Sequence, residues 1–337
     1  MLSSSRHVML PCYSHERPKN TQKMLAVVRY GGEEATLSVE DGCVWMYLPG
    51  PKPARYECWQ AAAITSGEDE KRAEDERQAG LDDGIGWSCA GDVLFAGFWL
   101  DDQPELSEAV KRRYEALITL CRAKGFGHFY RMWNYLGAIN ADNAQGEERY
   151  RDFCYGRSQA FEAMGVSLTD LPAATGIGLS TGGVAVYVLA HRETSGVNIE
   201  NPRQLPAYRY PRCYGRRSPS FARGTVMAGD QQAVLYVSGT ASIIGHETVG
   251  QTLAEQQAVM VENIQTLQKT ASERFPELAS VTCQSLKIYV RHAKDSALIQ
   301  AAMLDIFGGT VKQSPVFIAD ICRKELLVEV EAMFIHK

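Results

Sequence analysis

The chain has 337 residues, a length that suits one large domain or two ordinary ones. Hydrophobic residues make up 45% of it and charged residues 22%, which is typical of a soluble globular protein. The formal net charge of −5 excludes a broad basic field for nucleic acid, so an anionic small ligand needs a local group of Arg or Lys.

The first part of the chain predicts short strands. Residues 1–23 are polar and are predicted to be an irregular N-terminal segment. Strand-like pieces follow at 24–30, 35–40 and 43–49. Glycine-containing turns separate them, and this pattern favours a meander of hairpins. The highly charged residues 66–84 are interpreted as an exposed loop or a solvated helix.

A strand–helix–strand–helix–strand pattern then occurs twice. The first copy has strands at 92–100, 127–136 and 183–192 and helices at about 105–124 and 147–164. The second copy has strands at 232–243, 285–294, 316–321 and 326–335 and helices at about 250–275 and 296–307. The helices carry apolar residues at spacings of three and four. This order predicts an α/β fold with mixed sheets and helices packed on one face.

The connector between the copies, residues 201–225, is rich in arginine, tyrosine and proline. It contains Arg203, Arg209, Arg212, Arg216, Arg217 and Arg223 with Tyr208, Tyr210 and Tyr214. Arginine presents a planar fork that binds carboxylates, and tyrosine packs beside a ring while donating a hydrogen bond. A solvated basic loop is the alternative, and most of these arginines are expected to be solvated. In an acidic protein the clustering favours a ring-shaped ligand that bears a carboxylate.

A glycine-rich stretch, TGIGLSTGG at 175–183, precedes the closing strand of the first copy. It lacks the Lys-Ser/Thr of a phosphate-binding loop, and its glycines come before a strand and not before a helix. We therefore interpret these glycines as turn or bulge residues.

The last strand contains two carboxylates in an apolar setting, ELLVEVEAMF at 325–334. Glu329 and Glu331 are two residues apart, so their side chains share one face of the strand. Buried carboxylates need partners, a cleft or a proton. A structural pair that meets Arg or Lys on a neighbouring strand and a catalytic acid are both consistent with the pattern. When the copies are aligned, Ala185 and Tyr187 occupy the equivalent positions, so the carboxylates occur in the second copy alone, which favours function.

Metal sites and membrane spans are not predicted. The nine cysteines are widely spaced without a CxxC pair, which indicates free buried thiols in a reducing cytosol. The seven histidines form no ligand pair, and no run of 18 apolar residues exists. The sequence therefore predicts a cytoplasmic protein without metal, membrane or nucleic-acid partners.

Several long motifs carry a resemblance to known families. The segments SGTASI…GH (238–246), TLAEQQAVMVENI (252–264), LKIYVR (286–291) and the VEVEA end resemble the enamine-deaminase superfamily with the RidA/YjgF fold. The segments FYRMWNYLGAIN (129–140), GEERYRDFCYGRSQAF (146–161), NPRQLPAYRYPRCYGRRSPSFAR (201–223) and SGTASIIGHET (238–248) resemble the chorismatase family, nearest to its 3-hydroxybenzoate-forming branch. The family pattern has Pro after Tyr-Gly in the connector, where Arg216 stands in this chain.

The resemblance implies two RidA/YjgF-like units in one chain. We expect an N-terminal unit with extra strands over 24–200, the connector over 201–225, and a catalytic C-terminal unit over 226–337. Tandem units imply a monomer that imitates an oligomer, and a homotrimer is the alternative.

The resemblance also implies cleavage of chorismate to 3-hydroxybenzoate plus pyruvate, with 4-hydroxybenzoate as a second product, and without a metal or organic cofactor. It assigns the catalytic acid to Glu329. It assigns substrate contacts to Tyr210, Arg223 and Arg291 and control of the product to Ala241 and Cys322. A raised pKa would let Glu329 donate a proton to the enolpyruvyl methylene at neutral pH. An imine or enamine hydrolase of the RidA type and a non-catalytic module that binds an aromatic acid are the competing hypotheses.

Overall fold

The computed structural model describes residues 7–63, 77–229, 232–308 and 314–336. Within them the strands form three large sheets and one two-stranded ribbon. The predicted α/β fold, with mixed sheets and helices packed on one face, is confirmed. No helix in these ranges has the length and apolar character needed to cross a membrane.

The N-terminal residues form a sheet of their own. Its strands are β1 His7–Ser14, β2 Met24–Gly32, β3 Thr36–Glu40, β4 Cys43–Leu48 and β5 Gly50–Ala63. Their order is β1-β5-β2-β4-β3. The expected irregular segment is wrong for β1, which pairs along its whole length with β5. The expected meander is also wrong: β3 and β4 form a hairpin, but β2 pairs with β4 in parallel and with β5 antiparallel.

The second sheet carries the first helical pair. Its strands are β6 Gln78–Asp82, β7 Ile85–Ala90, β8 Val93–Leu100, β9 His128–Gly137, β10 Ala173–Leu179 and β11 Val184–His191. Helices α1 Ser107–Ala123 and α2 Arg149–Ala163 pack on one face through a buried apolar cluster. The loop or helix expected over 66–84 is corrected by β6, and residues 66–76 lie outside the described ranges.

The glycine-rich stretch at 175–183 is part strand and part bend. The turn interpretation is wrong for Gly176 and Gly178, which lie in a strand, but it fits Gly183, which lies in a bend with a φ of 100°. β10 runs parallel to β9 from Ala173 to Leu179. Gly178 donates its backbone N–H to the carbonyl of Asp320 at 2.8 Å. An added Cβ at Gly178 would lie 2.9 Å from the Asp320 Cβ, so the glycine allows a close approach between two backbones.

The third sheet contains the two carboxylates. In chain order its strands and the ribbon are β12 Val197–Ile199, β13 Gly224–Ala228, β14 Ala233–Val237, β15 Thr240–Ala241, β16 Ile243–Ile244, β17 Glu247–Thr248, β18 Val281–Val290, β19 Val316–Ile318 and β20 Val328–His336. The sheet order is β12-β13-β14-β20-β18-β19, with β15 also on β20, and β16 pairs with β17. Helices α3 Leu253–Arg274 and α4 Ser296–Phe307 pack on one face. A capping box between Thr252 and Glu255 begins α3.

The three sheets meet around equivalent tyrosines. Tyr30, Tyr135 and Tyr289 each lie on a strand between a parallel and an antiparallel neighbour. The Tyr135 hydroxyl is 3.0 Å from the hydroxyls of both Tyr30 and Tyr289. Three residues at the same register that meet at one point indicate an approximate threefold arrangement of the sheets.

A buried ion pair lies beside these tyrosines. The Lys287 ammonium is 2.5 Å from Glu57 Oε2 and donates to the hydroxyls of Tyr30 and Tyr135 at 2.6 and 2.8 Å. Burial by itself lowers the pKa of Lys287, but Glu57 and the neighbouring groups raise it above the ordinary value. The core therefore holds a charged pair that connects the first and third sheets.

Candidate active site

A cavity of about 370 Å³ lies between the second and third sheets. The start of α2, the connector, β15 and the segment before β20 form its walls. Five of the six predicted site residues line it: Tyr210, Arg223, Ala241, Cys322 and Glu329. Arg291 does not. The fold thus brings together residues that are up to 119 positions apart in the chain.

Glu329 is held on β20 between two strands. It lies opposite Tyr289 of β18 and opposite Ala241 of β15. Its side chain is 4% exposed, and it reaches the cavity. Gly239 passes so close that a Cβ there would overlap Glu329 Oε1. The carboxyl therefore needs a glycine at this point of the wall.

The Glu329 carboxyl has an environment that favours its neutral form. Among the described residues, none donates a hydrogen bond to it or forms an ion pair with it. Burial, and then the nearby Glu331, raise its pKa to about 8, although Arg131 and Arg223 act in the opposite direction. At neutral pH most molecules therefore carry a proton on Glu329.

Glu331 lies on the same strand face as Glu329 but is ionised. Its Oε2 accepts from Arg131 Nη2 at 2.8 Å and from Trp133 Nε1 at 2.6 Å, and its Oε1 accepts from the Tyr289 hydroxyl at 2.6 Å. Burial alone raises the pKa of Glu331, but Arg131, Lys287 and these hydrogen bonds bring it below the ordinary value. The sequence left two alternatives open for these carboxylates. Glu331 matches the structural carboxylate that pairs with an arginine, and Glu329 matches the unpaired acid.

Arg223 is a buried cation that forms no ion pair within the described part of the chain. It is 4% exposed, and its Nη2 donates to the Tyr210 hydroxyl at 2.8 Å and to the Leu205 carbonyl at 2.9 Å. Its Nε atom is buried and has no hydrogen-bond partner there. The Phe221 ring lies 5.1 Å from the guanidinium carbon. A desolvated, positioned guanidinium of this kind is suited to a ligand carboxylate.

The other connector arginines divide between pairing and solvent. Arg216 pairs with Glu147 at 2.6 Å, and Arg217 pairs with Glu162 at 2.9 Å. Two short 3-10 turns, Ala207–Arg209 and Arg212–Tyr214, are the helical structure of the connector. Arg216 and Arg217 are therefore members of half-exposed ion pairs on the surface, whereas Arg223 lines the cavity.

Cys322 and Ala241 form small apolar parts of the wall. Cys322 packs against the core clusters of both neighbouring sheets. Burial, and then the nearby Glu329, raise the pKa of its thiol, so the sulfur is protonated at neutral pH. The thiol is therefore no activated nucleophile, and its contribution to the site is shape. Ala241 is 4% exposed and leaves room beside Glu329.

Arg291 holds the segment that carries Cys322. It forms an ion pair with Asp320, and it donates to the carbonyls of Leu326 and Arg323 at 2.7 and 2.9 Å. Since its donors are directed at this segment, Arg291 holds the segment as a clamp from behind the wall, and its predicted contact with substrate stays a prediction.

Further residues of the cavity were not identified from the sequence. Tyr150 and Arg151 come from α2, and Arg323 and Lys324 follow Cys322 directly. Arg323 donates to the His246 carbonyl at 2.9 Å and stacks 4.2 Å from the Tyr214 ring centre. The sequence run CRKE at 322–325 could have identified Arg323 and Lys324, because it places two cations directly after Cys322.

Comparisons with known proteins agree on one family. A family model described as "Chorismatase FkbO/Hyg5-like, N-terminal" matches residues 70–190. A 3-hydroxybenzoate synthase of Streptomyces hygroscopicus is 37% identical over 267 residues, which cover 77% of this chain and 78% of the relative. A chorismatase of Streptomyces rapamycinicus is 34% identical over 326 residues, which cover 93% of this chain and 92% of the relative. A crystal structure of a chorismatase matches with a TM-score of 0.87 and 30% identity, covering 98% of this chain and 99% of the other.

Proposed function

Because the chain belongs to the chorismatase family, we propose that it converts chorismate to 3-hydroxybenzoate and pyruvate with Glu329 as the acid. One observation carries the assignment of the acid: a buried, unpaired carboxyl with a pKa of about 8 lies in the cavity wall. Formation of 4-hydroxybenzoate as a second product is part of the same proposal.

Proton transfer to the vinyl ether is the first step. Glu329 protonates the enolpyruvyl methylene, which makes the adjacent carbon electron-poor and weakens the ether. Glu329 is then a carboxylate. The ring's 4-hydroxyl oxygen adds to the electron-poor carbon and gives its proton to Glu329, which restores the acid. The ring then loses its C3 proton as the C4–O bond breaks, this proton goes to the oxygen that leaves C4, and the ring is aromatic. Breakage of the remaining bond between the C3 oxygen and the former enolpyruvyl carbon, with transfer of the hydroxyl proton to the C3 oxygen, releases 3-hydroxybenzoate and pyruvate. The two products together contain the same atoms as chorismate, so the reaction needs no net water, oxidant or reductant.

The arrangement of charges suits a substrate with two carboxylates. Arg223, fixed by Tyr210, offers one guanidinium at the wall. The positive charge of Arg223 lowers the pKa of Glu329. A ligand carboxylate that pairs with Arg223 would neutralise this charge and so weaken its effect on Glu329. Substrate binding therefore reinforces the neutral state of the acid.

The apolar wall favours aromatisation. Ala241 and the protonated Cys322 present no charged group to the ring. A dry wall disfavours the attack of water on the electron-poor carbon, which would give a hydrolysis product. These two positions thus steer the product towards the hydroxybenzoate.

Glu329→Gln is the direct test. Its amide keeps the shape but cannot donate the proton, so we expect kcat to fall by at least about 10³-fold while chorismate still binds. Turnover is measured by pyruvate release and by chromatography of the aromatic products, and binding by calorimetry. Glu273→Gln, on the exposed side of α3, is the control. Unchanged turnover in Glu329→Gln contradicts the proposal.

The same assay separates the competing hypotheses. An enamine hydrolase would release ammonia from an imine substrate and leave chorismate intact. A binding module would retain chorismate without pyruvate release. The connector, with Tyr210 and Arg223 at the cavity, supports the chorismatase assignment over both.

We also propose that the protein is cytoplasmic and monomeric. The nine cysteines form no disulfide in the described structure, which supports a reducing, cytoplasmic environment. The three sheets already enclose one core within a single chain, which supports a monomer over a homotrimer. Light scattering coupled to size-exclusion chromatography tests the mass.

A further inference from the structure

A second cavity, of about 680 Å³, lies where the three sheets meet. It shares no lining residue with the candidate active site. Its walls come from the ends of β1 and β2, the start of β5, the end of β10, and β19. Its volume is in the range of about 300–1,000 Å³ that small-molecule sites occupy.

The floor of this second cavity is aromatic. Tyr30, Tyr135 and Tyr289 line it, and each is less than one-tenth exposed. The Phe317 ring lies 4.7 Å from the Tyr30 ring centre and 5.8 Å from that of Tyr289. The rings are tilted against one another, and such a buried aromatic set offers both ring faces and ring edges to another ring.

The rim of the second cavity is cationic. Lys52 and Arg55 line it together with His15, and no Asp or Glu among the described residues does. Neither Lys52 nor Arg55 forms an ion pair there, and Arg55 Nη1 contacts the backbone carbonyls of Pro53 and Ala54 at 3.5 and 3.3 Å. In a chain with a net charge of −5, an unneutralised pair of cations indicates an anionic ligand.

In the approximate threefold arrangement, the second cavity has a basic residue at the position where the candidate active site has its acid. Arg55 is the residue opposite Tyr30 on the antiparallel neighbour, as Glu329 is opposite Tyr289. The equivalent position therefore carries a fixed positive charge in the first sheet and a proton donor in the third. A cavity with an aromatic floor and a basic rim has groups that can bind an anion, but it lacks a carboxylic acid like Glu329 that could donate a proton.

We propose that the second cavity is a binding site for an aromatic carboxylate, with Arg55 and Lys52 on the carboxylate and the tyrosine floor against the ring. The Ser180 side chain in the wall is available to a ring hydroxyl. The site is separate from the chemistry at Glu329, and the inference does not depend on that chemistry.

Calorimetric titration with 3-hydroxybenzoate tests the site. The double variant Lys52→Gln/Arg55→Gln removes the cationic rim, Arg223→Ala weakens the candidate active site, and Lys111→Gln/Arg112→Gln removes two cations from the exposed part of α1 as a charge-matched control. We expect a binding event that survives Arg223→Ala and weakens at least about tenfold in the rim variant but not in the control.

The neutral isostere 3-hydroxybenzamide extends the test. It keeps the ring and the hydroxyl but lacks the charge, so its binding at the second cavity should be at least about tenfold weaker. Thermal melts verify that each variant folds. A titration that the rim variant leaves unchanged, or a loss of all binding in a folded Arg223→Ala protein, overturns the proposal. Turnover is not measured in these titrations, so their failure is distinct from a failure of the Glu329 assignment.

Discussion

Two carboxylates on one strand face, two residues apart, have opposite protonation states. Glu331 lies against Arg131 and is ionised, whereas Glu329 has no partner within the described chain and is mostly neutral. The charge of Glu331 is one cause of the raised pKa of Glu329. The structural carboxylate therefore helps to keep its neighbour in the acid form that the proposed reaction uses.

The pH dependence of kcat/KM follows from the state of Glu329. The acid form is active and its pKa is about 8, so activity should be level below that pH and fall about tenfold per unit above it. In Glu331→Gln the fall should begin at a lower pH, because a negative neighbour has been removed. Initial rates over a pH series measure both, and a wild-type activity that rises through pH 8 contradicts the role of an acid.

The same ionisation predicts how stability changes with pH. Folding raises the pKa of Glu329 from 4.5 to about 8, so the folded protein holds its proton more tightly and stability from this group is lost as pH rises between these values. Glu329→Gln should remove this loss and be more stable than wild type by roughly 3 kcal/mol at pH 7, with little difference near pH 4. Denaturant unfolding at both pH values measures it.

Glu331→Gln should behave in the opposite way. It leaves the guanidinium of Arg131 buried without its carboxylate, which costs about 3–5 kcal/mol of stability. Glu329→Gln serves as the matched comparison, since it makes the same chemical change on the same strand. Equal stabilities of the two variants would contradict the division of roles.

At the scale of elements, the active-site wall depends on tight backbone contacts. Gly239→Ala should displace Glu329, because the new Cβ would overlap its carboxyl oxygen. We expect kcat to fall about 10²-fold with the fold retained. Gly127→Ala is the control, since a Cβ there meets its nearest neighbour at 3.7 Å. Activity is measured by pyruvate release, and wild-type turnover in Gly239→Ala would show that the contact is unimportant.

The clamp formed by Arg291 gives another prediction. Arg291→Lys loses the fork that holds the carbonyls of Arg323 and Leu326, so the segment that carries Arg323 becomes mobile. We expect KM for chorismate to rise about tenfold with a smaller change in kcat. Lys294→Arg, on the following turn, is the control. A KM equal to that of wild type would rule out the clamp.

Sequence periodicity predicted elements well where helices alternate with strands. The helices at 107–123, 149–163, 253–274 and 296–307 lie within the expected bounds. β5 was missed because two prolines interrupt it, and β10 because its glycines resemble turns. Both strands owe their structure to neighbours that are distant in sequence, which a local pattern does not contain.

The site was predictable in part for the same reason. The unequal copies drew attention to Glu329, and the family motifs drew attention to Arg223 and Tyr210. Glu331 pairs with Arg131, which lies 200 residues earlier in the chain. This pairing depends on the packing of two sheets, so neither segment alone predicts it. The contacts of Arg291 with the segment before β20 were likewise not predicted from the sequence, and its contact with substrate stays a prediction.

At the scale of the molecule, the buried pair of Lys287 and Glu57 joins the third sheet to the first. Lys287→Met leaves Glu57 unpaired and should cost about 3–5 kcal/mol, whereas Lys287→Met/Glu57→Gln should recover much of the loss. A double-mutant cycle by thermal or denaturant unfolding measures the coupling. Additive effects would show that the two charges do not support one another.

The approximate threefold arrangement around Tyr30, Tyr135 and Tyr289 has a consequence for the charge that the centre of the molecule can hold. In an assembly of three identical subunits, a lysine at the position of Lys287 would be present three times, and the copies would repel one another near the axis. A single polypeptide is free of that restriction, because Val28, Trp133 and Lys287 occupy the three equivalent places independently. A single chain thus permits Lys287 at the centre without a second copy of it, and Glu329 beside one sheet while Arg55 and Ala185 occupy the equivalent places of the other two, an arrangement that exact threefold symmetry forbids.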